Sequence, residues 1–152
     1  MEQWSLRSLF PALSRQSLFG HYVPLGGALS HSLLGAHILN PELLRQAVPS
    51  YEFALANAAI INANIGLGLW LYQRKHMTKV QKWTRTMYAV YGATMVNFGS
   101  ILLWALVKNV IPDCLPVRLA FAGLTSLTVL LIGKEYMAHM DFLAAGLSDA
   151  AN

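Results

Sequence analysis

The chain has 152 residues, enough for one domain, of which 55% are hydrophobic and only 12% are charged. Soluble domains carry about 25% charged residues, so this composition excludes an ordinary soluble globule and favours a membrane protein. The net charge of +4 would also suit a nucleic-acid-binding protein, so the positions of the basic residues have to decide between these two classes.

The first 18 residues form an N-terminal segment with an amphipathic pattern. Leu6, Leu9, Phe10 and Leu13 recur at helical spacing among arginines and serines. This pattern is typical of a mitochondrial targeting helix, and it fits an interfacial helix that leads into the membrane equally well. Residues 1–18 are therefore interpreted as a targeting-like segment, with both alternatives open.

The next segment, residues 16–41, lacks Asp, Glu, Lys and Arg, but it contains three histidines, two prolines and four glycines. Its length suits a span at residues 19–39, with a re-entrant or interfacial segment as the alternatives. Histidines inside a bilayer are costly unless they face protein. We therefore expect His31 and His37 to make polar contacts inside the bundle. Their spacing does not place them on one helical face, so no metal site is predicted.

Two uncharged runs follow, residues 53–73 and residues 86–107. About 20 helical residues cover the ~30 Å hydrocarbon core, so each run predicts a transmembrane helix. Tyr88, Tyr91 and Trp104 lie near the ends of the second run, where we expect amphipathic rings at the membrane interface.

Four asparagines interrupt these runs: Asn57, Asn62, Asn64 and Asn97. Asn57 and Asn64 are seven residues apart and share a helical face, which we expect to meet protein rather than lipid. The pattern favours hydrogen bonds between helices, joined by Asn97 from the next helix. A ligand or ion site within the bundle is the alternative.

A basic loop separates the two runs. It holds five of the eleven Lys and Arg residues and no acidic residue; the five are Arg74, Lys75, Lys79, Lys82 and Arg85. Such a cluster between two apolar runs follows the positive-inside rule and determines topology. The flanking segments leave no soluble fold to present a basic face, which argues against nucleic acid as a partner.

The last apolar run predicts a span at residues 117–138. Pro116 suits the first turn of this helix. Arg118 and Lys134 flank a short uncharged stretch and can extend their charges to the two interfaces. Residues 141–152 are predicted as a short polar C-terminal tail.

Charge distribution favours four spans over three. With both termini on the side of the basic loop, eight of the eleven Lys and Arg residues fall on that side, as the positive-inside rule requires. The sequence therefore predicts an all-α integral membrane protein, a bundle of three to four transmembrane helices, with its membrane domain at residues 19–140.

Function is less constrained than fold. A single cysteine excludes an intrachain disulfide, and no Asn-x-Ser/Thr sequence occurs, which disfavours a secreted or cell-surface protein. No H-E-x-x-H or G-x-S-x-G motif is present, so no catalytic residue, metal or cofactor is predicted.

We therefore expect a non-enzymatic accessory subunit or assembly factor of a membrane complex, in the mitochondrial inner membrane. Its expected partners are the lipid bilayer and other membrane subunits. The alternative is a small membrane enzyme or carrier that acts on a lipid-like substrate, with the endoplasmic reticulum as the alternative location.

Overall fold

The computed structural model describes residues 11–149, so most of the targeting-like segment lies outside the described residues. Within this range the regular elements are all helical. Arg15–Ser17, the π-helical turn Leu18–Tyr22 and Val23–Leu39 follow one another without a break and are together called α1. The remaining helices are α2 (Pro41–Ala47), α3 (Glu52–Tyr72), α4 (Lys82–Val107) and α5 (Leu115–Asp149), with short 3-10 turns at Pro49–Tyr51 and His76–Lys79.

Three helical segments are long and apolar enough to cross a membrane, which confirms the all-α membrane class. They are Pro49–Tyr72 with 24 residues, Lys82–Val107 with 26 residues and Leu115–Gly146 with 32 residues. The first two contain most of the predicted spans at residues 53–73 and 86–107. The third segment is longer than predicted, because α5 continues without a break through residues 141–149, the first part of the predicted polar tail.

Local sequence accounts for the start of α1 and for its π-helical turn. Ser14 caps the N-terminus, where its hydroxyl accepts a hydrogen bond from the Ser17 amide at 3.0 Å, while the Ser17 hydroxyl accepts from the Ser14 amide at 2.8 Å, a reciprocal capping pair. Pro24 has no N–H, and its ring would clash with the carbonyl four residues upstream in a regular α-helix. The wider π-helical turn at Leu18–Tyr22 lies just before this proline and accommodates it.

α1 lies between the three apolar helices and contacts each of them. It runs antiparallel to α3, because Gln73 after the end of α3 donates to the Phe19 carbonyl at 2.9 Å, whereas Asn62 donates to the Ser30 hydroxyl further along α1. At its far end, the Leu39 carbonyl accepts a hydrogen bond from Arg118 at the start of α5. α1 therefore runs beside α3 and α5 through the depth of the bundle. Most of the contacts that α5 makes with other helices are contacts with α1.

The buried apolar core is small and is divided in two. One cluster consists of Leu34, Leu39, Trp104 and Ala122, and the other of Leu71, Ala89 and Ala93. Three of these seven residues are alanines, so the helices approach closely there and bury little side-chain volume.

Candidate functional site

The backbones of α1 and α3 come close together at Gly27 of α1 and Gly66 of α3. A Cβ atom built on Gly66 would lie 2.6 Å from the Cα of Gly27, and one built on Gly27 would lie 2.7 Å from the Cα of Gly66. Only glycine permits this distance between two backbones. The contact brings polar groups of the two helices together, since Asn62 donates to the Ser30 hydroxyl at 2.7 Å and to the Gly26 carbonyl at 3.3 Å.

A chain of polar groups links the middle of α1 to α5. His31 is only 1% exposed, and its Nδ1 lies 2.7 Å from the hydroxyl of the fully buried Ser126. The Ser126 hydroxyl also lies 2.8 Å from that of Ser32. The Ser32 hydroxyl in turn lies 3.2 Å from the Ala28 carbonyl, to which it can donate. His31 thus makes a polar contact inside the bundle, with the buried hydroxyl of Ser126.

Trp104 of α4 packs beside these hydrogen-bonded polar groups. Its ring lies 4.9 Å from the His31 ring, centroid to centroid, and its indole N–H donates to the Thr125 hydroxyl at 2.8 Å. The ring packs on the open face of Gly35, where a Cβ atom would come within 2.8 Å of it. Trp104 is 0% exposed, so its ring packs inside the bundle instead of facing the surroundings of the protein. The missing side chain of Gly35 and the hydroxyl of Thr125 together let the indole turn inward.

Asn97 is the second buried polar residue of α4 and is 1% exposed. Its amide Nδ2 donates to the Ala93 carbonyl at 2.9 Å within the same helix. Its Oδ1 is buried without a hydrogen-bond partner, and so is the Nε2 of His31. Asn97 is therefore in the interior as expected, but it does not join the asparagines of α3 in a hydrogen bond.

His31 and Asn97 line the same cavity, which has a volume of about 560 Å³. It lies between α1, α3, α4 and α5, and most of its wall is apolar. The wall includes Leu25, Leu67, Trp70, Leu127, Leu130 and Leu131. His21 and Lys134 also line it. Ligand pockets of small molecules commonly measure about 300–1,000 Å³ and combine apolar walls with a few polar groups.

The other predicted polar residues fall elsewhere. Asn57 is exposed about one and a half turns past the first residue of α3, so the other helices of this chain do not cover it. Asn64 is half-buried and donates to the Ile60 carbonyl of its own helix. It lines a second cavity of about 370 Å³ between α3 and α4. The half-buried His37 has its Nδ1 without a hydrogen-bond partner.

The basic loop is anchored to the end of α5. The Asp141 carboxylate accepts a hydrogen bond from the His76 backbone amide at 2.8 Å and lies 2.6 Å from the Nδ1 of the His76 ring. The Arg74 guanidinium approaches the same carboxylate at 3.8 Å. Lys79 donates to the Ala144 carbonyl at 3.3 Å. These contacts place the last turns of α5 at the same end of the bundle as the basic loop.

Aromatic residues at the end of α3 hold the arginines of this loop. The Arg74 guanidinium lies 4.2 Å from the centroid of the Trp70 ring. Arg85 lies 4.0 Å from the Tyr72 ring and donates to the Tyr72 carbonyl at 2.6 Å. The other two predicted topology determinants, Lys75 and Lys82, are exposed.

Sequence reasoning found the buried histidine and asparagine but missed the residues that meet them. Ser126, Ser32 and Trp104 carry no motif, and Asp141 was included in the polar tail. The one usable signal was that a histidine in a charge-free span needs a polar partner on another helix. The hydroxyls of Thr125, Ser126 and Thr128 are the polar side chains at the middle of the last span.

Among the described residues, no three His, Cys, Asp or Glu side chains lie close enough to hold a metal ion. The only cysteine, Cys114, is free and exposed. Comparison of the chain with known protein families, with curated proteins and with solved structures found no match.

Proposed function

We propose that the chain is a non-enzymatic multi-pass membrane protein that serves as an accessory subunit or assembly factor of a membrane complex. The observation that carries this proposal is the position of α5. Only 11% of the apolar stretch of α5 that is long enough to cross a membrane is buried inside the bundle. Side chains such as Leu124 and Ile132 are 65% and 64% exposed. α5 thus presents a broad apolar face that lipid or another membrane subunit can cover.

The position of α1 supports a fourth membrane crossing as part of this proposal. Phe19 lies at the end of the bundle that carries the basic loop, and Leu39 lies at the end that carries Arg118. A helix that joins these two ends beside two apolar helices crosses the same depth as they do. Four crossings also keep eight of the eleven Lys and Arg residues on one side, in agreement with the positive-inside rule.

We place the protein in the mitochondrial inner membrane as a further part of the proposal. Its support is the Arg- and Ser-rich amphipathic pattern of residues 1–18 and the basic loop, which would face the matrix. A C-terminal tag tests this location by imaging with organelle markers and by protease digestion after selective permeabilisation of each membrane. A tag protected until the inner membrane is opened is the expected result, whereas a reticular signal would refute the mitochondrial location.

Native-gel electrophoresis of membranes with and without the chain tests the accessory role. We expect the tagged chain to migrate in an assembly much larger than its own detergent micelle, and we expect its deletion to reduce one complex that re-expression restores. A photo-reactive amino acid at Leu124 or Ile132 should crosslink to a subunit of that same complex. The same substitution at Ala122, which is 1% exposed, provides the matched control. Migration as a monomer, with every complex intact after deletion, would contradict the proposal.

The cavity favours a second candidate function, a small membrane enzyme or carrier for an apolar substrate. Its walls and the two buried polar side chains resemble a ligand pocket in composition. Asn97→Leu distinguishes the two functions. Under the enzyme or carrier function this variant accumulates normally while a lipid-derived metabolite changes in abundance, and under the accessory function the metabolites stay the same.

A further inference from the structure

Two side chains that line the cavity between α1, α3, α4 and α5, His31 and Asn97, each have one buried polar atom without a hydrogen-bond partner. The chemistry of these two atoms limits what can bind beside them. Asn97 uses its amide N–H to donate to the Ala93 carbonyl, which fixes the orientation of the side-chain amide. The atom left over is Oδ1, and a carbonyl oxygen can only accept a hydrogen bond.

The hydrogen-bond chain at His31 decides the role of its Nε2. If Nδ1 carries the ring proton, it donates to Ser126, the Ser126 hydroxyl donates to Ser32, and the Ser32 hydroxyl donates to the Ala28 carbonyl. Every proton in this chain then has an acceptor. With the proton on Nε2, Nδ1 must accept from Ser126, Ser32 can donate to only one of its two neighbours, and one hydrogen bond is lost. The first arrangement makes more hydrogen bonds, so Nε2 is left as an acceptor.

Both orphan atoms are therefore acceptors. The rest of the wall is mostly apolar, with His21 and Lys134 as its other titratable side chains. Leaving such buried groups unsatisfied costs about 1–3 kcal/mol each. A cavity of about 560 Å³ would hold up to roughly 18 water molecules at about 30 Å³ each. Most of these would lie against leucine and would not find the two to four polar partners that a buried water needs. Filling the whole cavity with water alone is therefore energetically unfavourable.

The opening of the cavity indicates where a ligand enters. Leu25, Leu127 and Leu131 line it and are 39%, 55% and 50% exposed, so an apolar part of the wall reaches the outer surface of the bundle. The exposed Gly20 and Lys134 also line it, towards the end that carries the basic loop. His31 lies eleven residues along α1 from Gly20, or about 16 Å at 1.5 Å per residue, which is near the middle of a ~30 Å hydrocarbon core. A phospholipid headgroup stays at the interface and does not reach this depth.

We propose that this cavity binds an uncharged single-chain amphiphile whose polar end carries hydroxyl hydrogen-bond donors. The hydroxyls donate to His31 Nε2 and Asn97 Oδ1, and the apolar body leaves the cavity between the exposed leucines into the bilayer. This site does not depend on the accessory role, since both a scaffold and a carrier can hold such a molecule.

Photolabelling of the purified full-length chain in phosphatidylcholine nanodiscs tests the proposal. The probe is hexadecane-1,2-diol with a diazirine in mid-chain, and the matched probe is its dimethyl ether, which accepts hydrogen bonds but cannot donate them. We expect the diol to label peptides that line the cavity at least tenfold more than the ether does, because each buried acceptor left unpaired weakens binding about tenfold. This comparison needs no variant and is independent of any effect of mutation on folding.

Two variants then locate the site. Asn97→Leu and His31→Phe should each reduce the advantage of the diol over the ether by about tenfold. Asn57→Leu, which changes an exposed asparagine outside the cavity, should leave it unchanged. Equal labelling by diol and ether would overturn the proposal. A diazirine phosphatidylcholine provides a second check. If it labels the cavity and excess diol does not displace it, the occupant is bulk lipid and the proposal is overturned.

Discussion

Replacement of Gly66 by alanine should force α1 and α3 apart at the centre of the bundle. The added Cβ would lie 2.6 Å from the Cα of Gly27 and 2.9 Å from the carbonyl oxygen of Val23, whereas carbon atoms in contact prefer about 3.5–4.0 Å. Both neighbours are backbone atoms, so no change of rotamer can relieve the overlap. The helices must separate locally by about 1 Å to restore ordinary contact.

The size of the effect follows from three contributions. Overpacking costs about 3 kcal/mol where the backbone itself has to move, at the upper end of the usual range. Weakening of the neighbouring hydrogen bond from Asn62 to Ser30 adds about 0.6 kcal/mol, and the higher helix propensity of alanine offsets about 1 kcal/mol. We therefore expect Gly66→Ala to lower the free energy of unfolding by roughly 2–3 kcal/mol.

Reversible unfolding in bicelles by steric trapping measures this free energy directly. Gly99→Ala is the matched control, because a Cβ at Gly99 meets nothing within 4 Å. The control should be as stable as the unmodified chain or slightly more stable. If Gly66→Ala unfolds with the same free energy as Gly99→Ala, the close approach of α1 and α3 is refuted.

Three further substitutions test contacts at other levels of the bundle. Asp141→Asn removes the negative charge that holds His76 and should increase proteolysis at the end of α5 several-fold. An unchanged rate of digestion would count against the contact between α5 and the basic loop. Arg118→Met leaves the Leu39 carbonyl without its hydrogen-bond donor and should lower the free energy of unfolding by about 1–2 kcal/mol. Equal stability of the variant would mean that water donates to this carbonyl instead. Trp104→Phe removes a buried hydrogen bond and part of a ring and should cost about 2 kcal/mol in the same unfolding assay, and a cost near zero would contradict its burial.

The membrane helices could be predicted from sequence because hydrocarbon imposes a simple requirement. Every backbone polar group must be satisfied within the helix, so an uncharged run of sufficient length becomes a helix. Residues 53–73 and 86–107 illustrate this, and the helices found there differ from the predicted runs by a few residues at their ends. Pro116 also marked the start of α5 correctly, since a first-turn proline loses no hydrogen bond.

The environment of individual side chains could not be predicted in the same way. Trp104 and Tyr88 are both aromatic residues towards the ends of one span, yet Trp104 is 0% exposed and Tyr88 is 58% exposed. The difference arises from Gly35 and Thr125 on two other helices, which make room and supply an acceptor for the indole. Such pairing depends on how helices are arranged, and the hydropathy of one span contains no information about its neighbours.

The position of α1 follows from the same physics and leads to a last prediction. Apolar surface gains little by moving from lipid to a protein interior, so helices associate in membranes through close packing and hydrogen bonds. α1 is the long helix that falls outside the candidate membrane spans among the described residues, and lipid on all sides would leave its histidines unsatisfied. Inside the bundle, Ser126 of α5 gives His31 a hydrogen-bond partner at its Nδ1.

Stable insertion of α1 should therefore require α5. A chain truncated at residue 113, which keeps α1, α3 and α4 but lacks α5, should expose α1 to protease in isolated membranes, whereas the full chain protects it. Ser126→Ala in the full chain is the finer test, because it removes one partner of His31 while α5 remains. Partial loss of protection in this variant is expected. Full protection of α1 in the truncated chain would show that α1 enters the bilayer without its polar contacts to α5.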